Sequence, residues 1–192
     1  MAIVRVVRLH VAWQGAHRER DDDMKILIAS DIHGSALWCE RLMEQVECEA
    51  PDKIILLGDL LYHGPRNPLS EGHDPREVAR MLNERADRII AVRGNCEAEV
   101  DQVMLDFPCM ADYAVVIDGE HELFCTHGHL FNAENLPPLP PDAYFVSGHT
   151  HVQVNDVVDG RRFVNPGSVS LPKDGIHGYA IYQDGVFELR SL

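Results

Sequence analysis

Lys25-Ile-Leu-Ile-Ala-Ser-Asp-Ile-His-Gly34 is a short apolar run that ends in serine, aspartate, histidine and glycine. A continuous apolar run bounded by polar and turn-forming residues reads as a strand buried on both faces, the kind found in parallel sheets. The chain downstream extends this grammar. Ser35 to Glu49 carries Leu37, Leu42, Met43 and Val46 at helical spacing, and Lys53 to Leu57 is a second short apolar strand. Asp74-Pro75-Arg-Glu77 supplies an N-cap, a proline at the first helical position and a capping-box acid, which opens a helix running to about Arg85. Arg88 to Val92 then reads as a third strand and Glu97 to Leu105 as a helix. Strands alternating with helices imply parallel pairing with the helices laid over the sheet.

The second half reads differently. Asp118-Gly119, Asp159-Gly160 and Asp184-Gly185 each sit between short β-rich runs, the strongest local signal for a hairpin. Leu136-Pro-Pro-Leu-Pro-Pro141 holds too much proline for a helix or a central strand and is expected to be a surface loop. Together the halves predict an α/β sandwich of two mixed sheets, with no internal repeat and no linker to a second domain.

Composition sets the outer bounds. The 192 residues, 45% hydrophobic and 25% charged, suit one globular domain and exclude disordered and fibrous classes. A net charge of -14 argues against a long nucleic acid as the main partner, because that binding rests on lysine and arginine. Five scattered cysteines, odd in number and without a CxxC pair, fit a reducing cytoplasm, and no apolar run reaches bilayer length, so no membrane partner is expected. Residues 1–23 end in the charged run Arg18-Glu-Arg-Asp-Asp-Asp23 without a signal-peptide cleavage site, and Met24 directly precedes the first strand. They are read as an N-terminal extension, either a poorly ordered tail or a start-site artefact, and residues 24–192 as the domain.

The chemistry collects where the strands end. Asp31 and His33 follow the first strand, Asp59 follows the second in Leu57-Gly-Asp59, and Asn95 follows the third in Val92-Arg-Gly-Asn95. His127 follows a later run in Phe124-Cys-Thr-His-Gly128, and Gly148-His149-Thr-His151 follows another. Ligands in open α/β sheets bind beyond the carboxyl ends of strands, so these turns can converge. Taken singly, a glycine-aspartate or glycine-asparagine is a turn signal and a lone histidine is usually structural. As an ordered set of seven they suit two divalent ions that share a carboxylate. Mixed oxygen and imidazole donors admit Mn²⁺, Fe²⁺, Co²⁺, Ni²⁺ or Zn²⁺, and Mn²⁺ is the expected ion.

Asp31-Ile-His33, Gly58-Asp59, Gly94-Asn95, His127 and Gly148-His149-Thr-His151, in that order, resemble the signature of the calcineurin-like metallophosphoesterases. Gly58 to Asn67, Arg93-Gly-Asn-Cys96, Thr126 to Phe131, Glu134-Asn-Leu-Pro137 and Asn165 to Ser170 extend the likeness to the small bacterial phosphodiesterases of that family, over about Met24 to Gly185. The resemblance implies a four-layer αββα sandwich, two mixed sheets flanked by helices. It also implies that Asp31, His33 and His151 hold one ion, that Asn95, His127 and His149 hold the other, and that Asp59 bridges them. A hydroxide between the ions would then attack phosphorus in line in a small phosphodiester, with Asp59, Asn95 and Cys96 at the reacting centre. Cys96 stands where many members carry a leaving-group histidine, and it reads either as a small packing residue or as a participant in proton transfer. Glu97 stands where close relatives more often have aspartate. Arg66 and Asn67 are candidates for binding the substrate phosphate, and His63 reads as part of a solvated loop.

His129 is expected to support the centre, and Asn165-Pro-Gly-Ser168 to buttress it as a turn. Three functions compete: a diesterase, a phosphomonoesterase or nucleotide phosphatase, and a non-catalytic scaffold similar to the retromer subunit, whose metal site is incomplete. A homo-oligomer is compatible with exposed sheet edges.

Overall fold

The computed structural model describes Val4–Arg5 and residues 24–192. Along the chain the elements are β1 (Val4–Arg5), β2 (Ile26–Ala29), α1 (Ala36–Glu49), β3 (Lys53–Leu56), α2 (Pro75–Asn83), β4 (Ile89–Ala91) and α3 (Glu99–Met104). Then come β5 (Tyr113–Asp118), β6 (His121–Thr126), β7 (Tyr144–Val146), β8 (Gln153–Val158), β9 (Arg161–Pro166), β10 (Gly178–Gln183) and β11 (Val186–Ser191). One sheet has the order β11-β10-β2-β3-β4, the other β1-β5-β6-β7-β9-β8.

The reason for β2's unbroken apolar run is now visible. Its residues are fully buried on both faces. Leu27 and Ala29 point with Ile54 and Leu56 toward Cys39, Leu42, Met43 and Val46 of α1 and Val78 and Leu82 of α2. Ile26 and Ile28 point the other way, with Ile55 and Tyr182, against Val116, Leu123, Cys125, Val146 and Val164 of the second sheet. Strand alternation thus serves two cores at once. Burying one such aliphatic side chain contributes roughly 1.5–3 kcal/mol.

β2, β3 and β4 pair in parallel, as the strand-helix alternation predicts. The three aspartate-glycine pairs each turn an antiparallel hairpin, β5-β6, β8-β9 and β10-β11. Two arrangements go beyond the sequence reading. The last hairpin crosses back to the first sheet, where β10 pairs antiparallel with β2. Within the second sheet, β6, β7 and β9 run parallel.

Helices α1 and α2 form the outer layer on the first sheet. On the outer face of the second, Phe124, Phe145 and Phe163 stack along the strands. There the long segment between β6 and β7 takes the place of a helix, with Phe131 set edge-on to Tyr113 and Phe124. Leu136–Pro141 lies in that segment as a loop. At the edge, Val4–Arg5 pairs in parallel with Ala114–Val115. The remainder of residues 1–23, read above as an extension, lies outside the described residues.

Candidate metal centre

Each of the seven candidate ligands lies just past the carboxyl end of a strand. Asp31 and His33 follow β2, Asp59 follows β3, Asn95 follows β4, His127 follows β6, and His149 and His151 follow β7. Five of them hold left-handed backbone conformations: Asp31 (φ 57°), His33 (φ 47°), Asp59 (φ 55°), His149 (φ 66°) and His151 (φ 61°). The other non-glycine residues with positive φ among those described are a helix C-cap, Ala50, and the hairpin turns at Asp159 and Asp184. Such conformations cost on the order of 1 kcal/mol or more each, and they persist where surrounding structure over-determines them. Here they turn successive side chains inward from tight loops.

Close approach of the loops depends on two glycines. A Cβ on Gly94 would lie 2.1 Å from Asp59 Oδ1, and one on Gly148 would lie 1.9 Å from Ser30 Oγ. Any side chain at either position would force the loops apart.

The inward-facing atoms form two groups that share one oxygen. In the first, His151 Nε2 is 3.2 Å from Asp31 Oδ1 and 3.3 Å from His33 Nε2, and His33 Nε2 is 3.7 Å from Asp59 Oδ2. In the second, His127 Nε2 is 3.5 Å from the same Asp59 Oδ2, 3.2 Å from Asn95 Oδ1 and 3.1 Å from His149 Nδ1. Donors about 2.0–2.2 Å from a divalent ion are separated by roughly 3.0–3.5 Å along the edges of its coordination shell. The spacings of Asp31, His33 and His151 therefore fit an ion, and Asp31, Asp59 and His127 form a second set of ligand atoms within 4.8 Å of one another.

Proton bookkeeping reaches the same point. His33 Nδ1, His127 Nδ1 and His151 Nδ1 lie 2.9, 2.7 and 2.6 Å from the carbonyls of Tyr62, Leu57 and Leu171, to which they can only donate. In the neutral ring this leaves Nε2 as a lone pair. Those lone pairs face a carboxylate oxygen, an amide oxygen and one another, so acceptors point at acceptors. Asp31 Oδ1 is buried without a donor, while Oδ2 accepts from Ser30 Oγ (2.7 Å) and His149 N–H (2.9 Å). A cation resolves the arrangement.

The pKa directions express the same demand. Burial disfavours charge on Asp31, yet the imidazoles of His151 and His33 hold its carboxyl well below the usual range. Burial also opposes a proton on His127, but Asp59 and Asp31 push it up to about 9. His149 moves down, through burial and then the neighbouring His127. Burial likewise opposes a proton on His33, but Asp31 and then Asp59 outweigh it and move the ring up, so the carboxylates draw protons onto the rings nearest them.

Cys96 and Glu97 complete the support. Cys96 N–H donates to Asp59 Oδ1 (2.8 Å), which leaves Oδ2 for the shared position. Asn95 Nδ2 donates to Cys96 Sγ (3.2 Å), which turns Asn95 Oδ1 toward His127. Burial, with the nearby Asp59 carboxylate, pushes the Cys96 thiol up, so it stays protonated. Glu97 is a residue whose importance sequence reasoning missed. Its carboxylate accepts from Asp59 N–H (2.9 Å), Gly94 N–H (2.5 Å) and Leu60 N–H (2.6 Å), tying two ligand-bearing loops together. Burial and Asp59 raise it to about 7.

Asn165-Pro-Gly-Ser168 does buttress the loops. Asn165 Nδ2 donates to Gly148 O (2.7 Å), and Ser168 Oγ donates to Asp31 O (2.8 Å). His129 packs edge-on against His127, and its burial lowers it to about 4. Histidines left without a role have structural partners: His73 Nδ1 lies 3.2 Å from His33 O, His177 stacks on Trp38, and His121 Nδ1 lies 3.2 Å from the Tyr144 hydroxyl. His10 and His17 lie outside the described residues. Arg66 is exposed on the loop after β3, and the structure gives it no contact with the seven among the described residues. Asn67 Nδ2 donates to His63 O (2.9 Å) and so braces that loop.

Residues 24–184 match the model of the calcineurin-like phosphoesterase superfamily domain. The chain belongs to this superfamily. Its ligand-type cluster and its family together make it a metal-dependent phosphoesterase. The phosphodiesterase YfcE of Escherichia coli K12 is 49% identical over 152 residues, which is 79% of this chain and 83% of that one. The probable metallophosphoesterase YsnB of Bacillus subtilis 168 is 26% identical over 158 residues, 78% of each chain. A solved structure of the Escherichia coli phosphoesterase Yfce superimposes with a TM-score of 0.85 at 45% identity, covering 88% of this chain and 93% of that one.

Proposed function

We propose that the chain hydrolyses small phosphodiesters with a pair of divalent ions. The first would be held by Asp31, His33 and His151, the second by Asn95, His127 and His149, with Asp59 shared. The observation that carries this reading is the convergence of imidazole, carboxylate and amide ligand atoms around Asp59 Oδ2, with Asp31 Oδ1 beside them buried and without a hydrogen-bond partner. Bound there, two ions supply Lewis-acid charge and an activated water. The donors are carboxylate, amide and imidazole without a thiolate, which suits Mn²⁺ and also admits Fe²⁺, Co²⁺, Ni²⁺ or Zn²⁺. The chain's own groups set the geometry: the carbonyls of Leu57, Tyr62 and Leu171 fix the imidazole tautomers, and Cys96 N–H and Glu97 fix Asp59.

Cys96 bears on the leaving group. A protonated thiol of high pKa is a poor general acid near neutral pH, and general acid catalysis is typically worth 10²- to 10⁴-fold. Substrates with good leaving groups then gain most. The diester preference is supported by the likeness to the phosphodiesterase YfcE. A filled ligand set opposes the scaffold reading, and the cysteines, all free, support a reducing cytoplasm. No described helix is long and apolar enough to cross a membrane.

The experiment is a metal titration of the stripped protein, followed with bis(p-nitrophenyl) phosphate and p-nitrophenyl phosphate in parallel. Saturable activation by Mn²⁺ at two equivalents, with the diester turned over faster, is expected. Faster monoester turnover would replace the diesterase reading with the phosphomonoesterase one, and absence of metal binding would revive the scaffold.

A further inference from the structure

Beside the ligand cluster a cavity of about 400 Å³ opens between the loop after β3 and helix α3. That volume lies within the range of small-molecule sites. Cys96 joins the two spaces. It lines the cavity, and its Sγ lies within 4.8 Å of the ligand atoms of His33 and Asp59. A phosphoester seated at Asp59 therefore has this cavity open to one of its ester arms.

The walls indicate what that arm is. On one side stand rings: Tyr62 meets His63 edge-on at 4.8 Å, and His63 meets His73 edge-on at 5.4 Å. Opposite them, Val100 and Met104 of α3 leave apolar side chains 62% and 38% exposed, one turn apart on the side that lines the cavity. Asp101 also borders it, but its carboxylate accepts from Ala98 N–H (2.8 Å). Arg76 stands on the border and brings positive charge suited to a phosphodiester anion.

We infer that this cavity is the subsite for an aromatic ester arm of the phosphodiester, a flat ring held between Tyr62 and His63 on one side and Val100 and Met104 on the other. The inference rests on the phosphodiesterase reading and names its substrate class. Hydrolysis adds the oxygen of water to phosphorus and breaks the bond to the arm's oxygen, which keeps the electron pair. An aryloxide is stable enough near neutral pH to leave without a proton from the enzyme, and the proton lost by water passes to solvent.

The test uses the full chain loaded with Mn²⁺ and calorimetric titration with inorganic phosphate, dimethyl phosphate and diphenyl phosphate. The wild type is expected to bind diphenyl phosphate on the order of tenfold more tightly than dimethyl phosphate. Val100→Trp and Met104→Trp, which fill the cavity from exposed positions, are expected to remove that advantage and leave inorganic phosphate affinity unchanged. Equal affinity for the two diesters in the wild type, or an undiminished preference in both variants, overturns the subsite while the phosphoesterase centre stands. Failure of the loaded wild type to bind any of the three anions overturns the functional reading and the subsite together. The wild-type comparison decides the matter alone if either variant fails to fold.

Discussion

Asp59 does two jobs with one carboxylate: Oδ1 accepts from Cys96 N–H, and Oδ2 faces both imidazole groups. Asp59→Asn keeps the shape but removes the charge on which both ions of the proposed pair would depend. We expect kcat/KM for an aryl diester to fall by at least about 10³, several kcal/mol of transition-state stabilisation. Steady-state assay at saturating Mn²⁺ checks this, and near-normal turnover would refute the shared role. Glu97 acts one step further out. In Glu97→Gln, an amide NH₂ must face at least one of three backbone N–H groups, so the loops carrying Asp59 and Asn95 lose their common anchor. Mn²⁺ affinity is expected to weaken by about 10- to 100-fold, as for other groups that orient metal ligands, with recovery in Glu97→Asp if the shorter acid still spans the loops. Calorimetric metal titration reads this directly. Cys96→His would add the missing acid. It should improve poor alkyl leaving groups more than aryl ones, and an unchanged alkyl-to-aryl rate ratio would dismiss leaving-group protonation as a limit.

At the level of helices and strands, local chemistry fixed most boundaries. Asp74 caps α2 by accepting from Arg76 N–H (3.2 Å) and Glu77 N–H (3.1 Å), as the Asp-Pro-Arg-Glu pattern implies. Asp74→Ala is expected to cost about 1 kcal/mol, visible as a lower urea midpoint with an unchanged slope; an unmoved midpoint would show that Pro75 and packing set the helix start alone. The strands before each ligand were readable because an apolar run feeding a polar residue beside glycine is a local pattern. Helix ends were less so: α2 stops at Asn83 and gives way to a 3-10 turn at Ala86–Arg88, and α3 spans only Glu99–Met104. Which sheet each hairpin joins was not legible. Nothing in Gly178–Gln183 announces that its partner is Ile26–Ile28, because that pairing is decided by packing across the whole molecule. Glu97 was unreadable for the same reason, since two of its three partners are backbone amides 37 and 38 residues away.

For the molecule as a whole, the centre couples stability to both pH and metal. A chain of net charge -14 that gathers buried carboxylates at one point gains from any positive charge placed there. Without metal that charge comes from protons on His127, held to about 9 by Asp59 and Asp31 against burial, and on His33, raised by the same carboxylates. The folded pKa of His127 lies above the unfolded value, so its contribution is fully present below about pH 6.5 and is lost as pH rises toward about 9. Its size is on the order of 3 kcal/mol. Glu97, raised to about 7, loses stability mainly below that window, between the ordinary glutamate range and neutrality. The depressed Asp31 and Asp59 act at still lower pH. His127 and His33 therefore act in the same direction above pH 6.5, and the melting temperature of metal-stripped protein should fall as pH rises toward 9. Saturating Mn²⁺ should reverse the slope, because the ion needs the neutral imidazole and displaces the proton as it binds. At a hundredfold excess over Kd the ion adds about 2.7 kcal/mol, or roughly 5–10 °C for a chain of this size. Thermal melts with chelator and with Mn²⁺ at several pH values test the pair of slopes. Parallel slopes in the two series would mean that His127 does not hold the proton that the metal replaces.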